Sequence, residues 1–206
     1  MLKDFFETWK NVINAISLQS EWREVVFYSE GPWLTSHFNP LIKELCDVRS
    51  KKITLLTSST EDKINLSKKN NLKTIYIGSE SARTYLFRKF SAKLMIMSTP
   101  NLQNMQLKKE KETKYYYLHH SPCSTHMIYE DNAFDHFEGM FCIGPYHKNE
   151  VLEREKKNPI YKKNLLESGY PNFDNLKNYF ANESIKGQIL IAPTWGENSI
   201  TNLCLH

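Results

Sequence analysis

A doubly wound α/β fold on a parallel sheet is what three features of the sequence predict. Short apolar runs of strand length recur along the chain, helix-like segments separate several of them, and the runs are apolar almost continuously. Strands that alternate with helices need crossover connections and so pair in parallel. A parallel sheet is covered on both faces and demands strands apolar throughout. The 206 residues suit one sizeable core, and 40% hydrophobic with 24% charged residues are globular values.

Taken in order, the first element is a helix over residues 1–17. Leu2, Phe5, Phe6, Trp9, Val12, Ile13 and Ile16 fall three or four apart and form one apolar stripe, while Lys3, Asp4, Glu7 and Lys10 occupy the other face. Such a helix docks on its own domain or lies on a membrane surface, and the weakly basic polar face argues against the second. Strands are predicted at VVFYS from Val25, ITLLT from Ile53, TIYIG from Thr74, LMIMS from Leu94, YYYLHH from Tyr115 and MFCIG from Met140, each rich in β-branched, aromatic or large apolar residues. Helices are predicted between them at NPLIKELCDVRS from Asn39, EDKINLSKKN from Glu61 and SESARTYLFRKFS from Ser79. The tail, from Gly187 to His206, offers one more buried strand, ILIAP, which either joins the edge of the first sheet or opens a second domain. The second choice divides the chain at 186/187.

No window reaches the eighteen or so continuous apolar residues of a membrane span, and LKDFFETWKNVINAI after Met1 lacks the features of a secretory signal. A cytoplasmic protein, soluble or peripheral at the membrane, is expected. Cys46, Cys123, Cys142 and Cys204 are scattered and do not read as a disulfide framework. The net charge of +4 is modest, and no nucleic-acid partner is expected. Lysines cluster in LKKEKETK (Leu107 to Lys114) and EREKKNPIYKK (Glu153 to Lys163), as a solvated face or as a contact for an anionic partner.

In such sheets ligands bind outside the carboxyl ends of the strands. SEGPWLTSH follows the first strand and HHSPCSTH the fifth, so both are placed on that rim. The stretch Leu118 to Tyr129, LHHSPCSTHMIY, holds three histidines and a cysteine. His120-x-x-Cys123-x-x-His126, with His119, has zinc-ligand chemistry, but structural sites draw on two separated pairs and adjacent residues at a strand end point to opposite faces. No metal is expected. A neutral imidazole at a strand end can serve as a general base, with Asp135 in AFDHF, the nearest carboxylate in a segment that also carries aromatic residues, to orient it. Equally open is that Ser121, Ser124 and Thr125 cap a turn and the histidines are polar rim residues. A Ser121 or Cys123 nucleophile lacks a strained elbow, and Pro122 removes an amide that an oxyanion would want. Neither G-x-G-x-x-G nor a P-loop lysine motif occurs, so no cofactor is expected.

Three blocks in order and spacing, HSPCSTHMIYEDNAFDHFEGMFCIGPYHKNEVLE, ESGYPNFDNL and ILIAPTWGENSI, resemble the CDP-glycerol glycerophosphotransferases, which include the teichoic-acid primases and polymerases. The resemblance runs from about Tyr115 to Ile200. It implies a two-domain GT-B fold, with an acceptor-side N-terminal domain over 1–186 and the first strand of a nucleotide-binding domain over 187–206. The implied reaction transfers glycerol phosphate from CDP-glycerol, or a related CDP-alditol, to a hydroxyl of a membrane-linked polyol-phosphate or glycan acceptor. The family's acceptor-side histidine falls on His120, or on His119 in the alternative register, with His126 close in sequence. Side-chain alternation lets only one of the adjacent pair face the cleft, and Ser124-Thr125-His126 favours His120. Thr194, Trp195 and Gly196 would lie at the cleft edge as the donor-side remnant. Gly144, Pro145, His147, Gly169, Tyr170 and Pro171 would be turn and interface residues. The family's phosphate-binding segment would lie past His206, which makes a chain inactive on its own the expectation. The alternative function is a non-catalytic module that binds an anionic or glycan partner.

Overall fold

The computed structural model describes residues 2–62, 70–157 and 162–180. Its elements are α1 (Leu2–Ile16), a short 3-10 turn (Ser20–Arg23), β1 (Val25–Ser29), α2 (Pro32–Lys43) with a π turn (Glu44–Val48), β2 (Ile53–Thr57), β3 (Leu72–Tyr76) and α3 (Glu80–Lys89). There follow β4 (Leu94–Met97), β5 (Lys114–Leu118), α4 (Thr125–Ile128), β6 (Gly139–Cys142), α5 (Pro145–Lys157), β7 (Asn164–Glu167) and α6 (Pro171–Phe180). One compact unit spans Met1–Asn175; of the second, Leu176–His206, only the end of α6 is described. The expected boundary at 186/187 and the strand ILIAP therefore lie outside the described residues.

All pairings are parallel, in the order β3-β2-β1-β4-β5-β6-β7, a Rossmann-like arrangement. The order reverses between β1 and β4, whose connections leave in opposite directions and open a crevice at their carboxyl ends. Alternation sorts the strand residues onto two cores. Val26, Tyr28, Leu56, Met95, Met97, Tyr115, Tyr117, Met140 and Cys142 join one core with α1, α3 and Val151 of α5. Phe27, Ile53, Leu55, Ile96 and Leu118 join the other with Phe38, Ile42 and Cys46. The two outer strands, β3 and β7, are the least buried, as edges of a sheet are.

The six expected strands are present, the third starting two residues early at Leu72. The seventh, NLLE, was not expected, because an edge strand with few buried side chains carries no continuous apolar run. The helix expected from Asn39 begins instead at Pro32. Pro32 occupies its first turn, where a missing N–H costs nothing, while Pro40, which reads as a helix start, lies inside. GPYH is not a turn beyond Gly144, since Pro145 and His147 belong to α5, and Pro171 opens α6. The helix expected from Glu61 falls largely on residues 63–69, outside those described. In α1, Val12 and Ala15 are buried and Trp9 meets Tyr85 of α3 at 5.4 Å, but Phe5, Phe6 and Ile13 of the expected stripe stay exposed. No described helix is long and apolar enough to cross a membrane.

Candidate active site

The parity of β5 decides what its carboxyl end presents. Tyr115 and Tyr117 point into the core shared with α1 and α3, and His119 continues that row; Tyr116 and Leu118 point toward α2, and His120 continues theirs. His119 is fully buried, within 5.0 Å of Tyr117, 5.8 Å of Phe134 and 4.1 Å of His147, ring centre to ring centre. Neither of its ring nitrogens has a partner, whereas His147 places Nε2 2.7 Å from the Cys123 carbonyl. Burial pushes His119 down to about 3, helped by His147 and His120 and opposed by Glu150. This ring is enclosed and neutral near pH 7.

His120 stands half-buried at the rim. Its ring meets Trp33 edge-on at 5.3 Å and lies 6.1 Å from His37, both on α2, with Nδ1 3.4 Å from Tyr117 Oη. Tyr117 Oη donates to Tyr129 Oη at 3.1 Å, and the hydroxyl of Tyr170, just past β7, donates to the His120 carbonyl at 3.1 Å. Burial lowers the His120 value below 6.5, and a hydrogen bond with the Ser98 backbone works against that shift. His37 is buried, its Nε2 3.2 Å from the Asn172 amide nitrogen, and burial with the nearby His120 pushes it down to about 4. Both rings are neutral near pH 7, and His120 is the more open of the two. A neutral, oriented imidazole at the switch-point crevice can take a proton from a hydroxyl.

The remaining expected residues lie apart from this cluster. Asp135 orients neither imidazole of the pair: its Oδ1 instead accepts from Arg154 Nη2 at 3.1 Å, a partly buried ion pair. His126 is exposed on α4 and lines, with Asp135, Asp131, Glu153, Arg154 and Lys157, an open cavity of about 570 Å³. Thr194, Trp195 and Gly196 fall outside the described residues. Among those described, no cluster of three His, Cys, Asp or Glu side chains is arranged to hold a metal ion. Trp33, His37, Tyr170 and Asn172 were missed as site residues. The available signal was the i, i+4 spacing of Trp33 and His37 after Pro32, which puts both on one side of a helix that starts at the rim.

Fold and site together define an α/β domain with a histidine at the carboxyl-end rim of a parallel sheet, beside its topological switch point. No protein-family model matches the chain, and no curated protein matches it in sequence. Among solved structures it is similar to a variant of the wall teichoic acid polymerase TagF with CDPG, at TM-score 0.49 and 10% identity over 87% of this chain and 48% of that one. A second TagF variant aligns with TM-score 0.47 and 12% identity over 88% of this chain and 50% of the other. The chain spans about half the length of the structures it resembles.

Proposed function

We propose that this domain forms the acceptor side of a CDP-glycerol glycerophosphotransferase-type enzyme, with His120 as its general base. The observation that carries the reading is the half-buried imidazole of His120 at the carboxyl-end rim, its value lowered by burial and its ring bordered by Trp33 and His37. The order of the three sequence blocks supports the same reading. In the proposed step the acceptor hydroxyl oxygen bonds to the β-phosphorus of CDP-glycerol, and its proton passes to His120. The bond from that phosphorus to the bridging oxygen breaks, and CMP leaves with that oxygen. The negative charge on the phosphates needs cationic groups and helix N-termini on the donor side, which this reading assigns to a facing nucleotide-binding surface.

The test is release of CMP from CDP-glycerol with an acceptor present, measured with the chain alone and with a nucleotide-binding domain supplied separately. Acceptor-dependent release in either arrangement, lost in His120→Ala while far-ultraviolet circular dichroism is unchanged, is the expected result. Because the His120 value lies below 6.5, the acid limb of the rate profile should fall below that pH. Release that survives His120→Ala, or no release in either arrangement, overturns the assignment.

A further inference from the structure

Beyond Leu118, the last paired residue of β5, the chain carries His120 into a turn whose main chain is held by side chains. The His120 carbonyl accepts from Tyr170 Oη at 3.1 Å, that of Pro122 from Tyr146 Oη at 3.2 Å, and that of Cys123 from His147 Nε2 at 2.7 Å. The Thr125 N–H and hydroxyl donate to Glu150 Oε2 at 2.8 and 2.6 Å. Tyr146, His147 and Glu150 all lie in the opening turns of α5. That helix follows β6 after a short link, and β6 is the neighbour of β5, so α5 begins beside the turn that leaves His120.

His147 is the informative member of this set. Its ring is fully buried, 4.1 Å from that of His119, a contact that a phenyl ring would make as well. A phenyl ring would also bury no polar atom, whereas Nδ1 of His147 is enclosed with no partner among the described residues. What the imidazole adds is a donor for the Cys123 carbonyl, which requires the proton on Nε2. Packing alone does not call for a histidine here; holding the backbone at Cys123 does. A turn free to rotate after His120 would let its ring swing away from Trp33 and from Tyr117 Oη.

The geometry points to His147 and Glu150 as positioning residues for His120: by fixing the main chain of the turn that follows it, they aim its imidazole out of the rim toward a substrate hydroxyl. This rests on the reading of His120 as base and supplies the orienting groups that Asp135 does not.

The experiment compares His147→Phe and Glu150→Ala, which remove the donor and the acceptor, with His147→Gln and Glu150→Gln, which keep one. Nuclear magnetic resonance of the intact chain reads the nuclear Overhauser contact between the His120 and Trp33 rings and the His120 titration midpoint, and neither needs turnover. His147→Phe and Glu150→Ala should weaken the contact about twofold or more and raise the midpoint, which burial holds below 6.5, toward 6.5, with far-ultraviolet circular dichroism unchanged. The two glutamine variants should recover most of both signals. In CMP release from CDP-glycerol the first pair should lower kcat roughly tenfold to hundredfold and leave KM within about twofold of the parent. A ring contact and midpoint unchanged in both His147→Phe and Glu150→Ala overturn the inference, whatever happens to the urea midpoint, and leave the base reading standing. If His147→Phe does not fold, Glu150→Ala decides by the same two measurements. A displaced ring with parent-like release removes His120 as base and the positioning role with it. Where the parent releases no CMP in any arrangement the base reading falls, and the ring measurements still decide whether α5 aims His120.

Discussion

Two neighbouring histidines, His119 and His120, share a backbone and almost nothing else. The inner one is packed among Tyr117, Phe134 and His147, with both ring nitrogens unpartnered. The outer one touches Trp33 and Tyr117 at the carboxyl-end rim of the sheet and is only partly buried. One residue of register, through the two-residue period of a strand, turns the same side chain from a buried element of the core into a group able to exchange protons. Residue type therefore says little here until the face is known.

Acid breaks the contrast most strongly. His119 is pushed from 6.5 to about 3 and His37 from 6.5 to about 4, by burial first in each case. In the unfolded chain both titrate near 6.5, so below that pH the unfolded state binds more protons. The stability these rings leave intact above pH 6.5 is lost as the pH falls toward their folded values. At about pH 4.5 each should remove on the order of 2–3 kcal/mol. Urea unfolding at pH 7.5 and 4.5 measures the loss, and His119→Phe should recover roughly half of it. A variant with the same pH dependence as the parent would mean that His119 does not carry its proton balance into the core.

Smaller in effect is a change on the outer row of β5. Tyr116, two rows below His120 on the same face, pairs with Gly139 of β6. A Cβ at 139 would stand 2.3 Å from the Tyr116 ring and 2.7 Å from the Asn164 carbonyl oxygen, and the second of these is backbone of the next strand. Gly139→Ala should lower stability by about 1–3 kcal/mol, read as a lower urea midpoint at pH 7.5. An unchanged midpoint would show that β6 and β7 can separate without loss, and that the outer row is less firmly held than the inner one.

Much of this was legible in the chain, for reasons that differ by element. Six strands showed themselves because burial on both faces leaves an unbroken apolar run, and the pairing of SEGPWLTSH with HHSPCSTH at one rim follows from where strands end in a parallel sheet. That only one of His119 and His120 faces outward is also a sequence property. What failed depends on distance through space. Asp135 was chosen as partner because it is near in sequence, but Arg154, on α5, reaches it first. Trp33 and His37 fell in the rim segment ahead of a helix expected from Asn39, whereas α2 already begins at Pro32, and Tyr170 was read as a turn and interface residue because the strand before it, β7, is too exposed to announce itself.

The smallest expected effect is the one that sharpens the contrast between the two rings. His119→Phe replaces a ring with unpartnered nitrogens by an apolar ring of similar size, among Tyr117, Phe134 and His147. Removing an unmet hydrogen-bonding group from an enclosed site should leave stability at pH 7.5 unchanged or raise it by about 1 kcal/mol. His120→Phe and Trp33→Ala change side chains that solvent already reaches, and each should stay within about 0.5 kcal/mol of the parent. If His120→Phe instead lowers stability by more than His119→Phe does, the outer ring is the structural one. The crevice would then lose its claim to a free imidazole, because a side chain whose packing holds the fold is not available to turn toward a substrate.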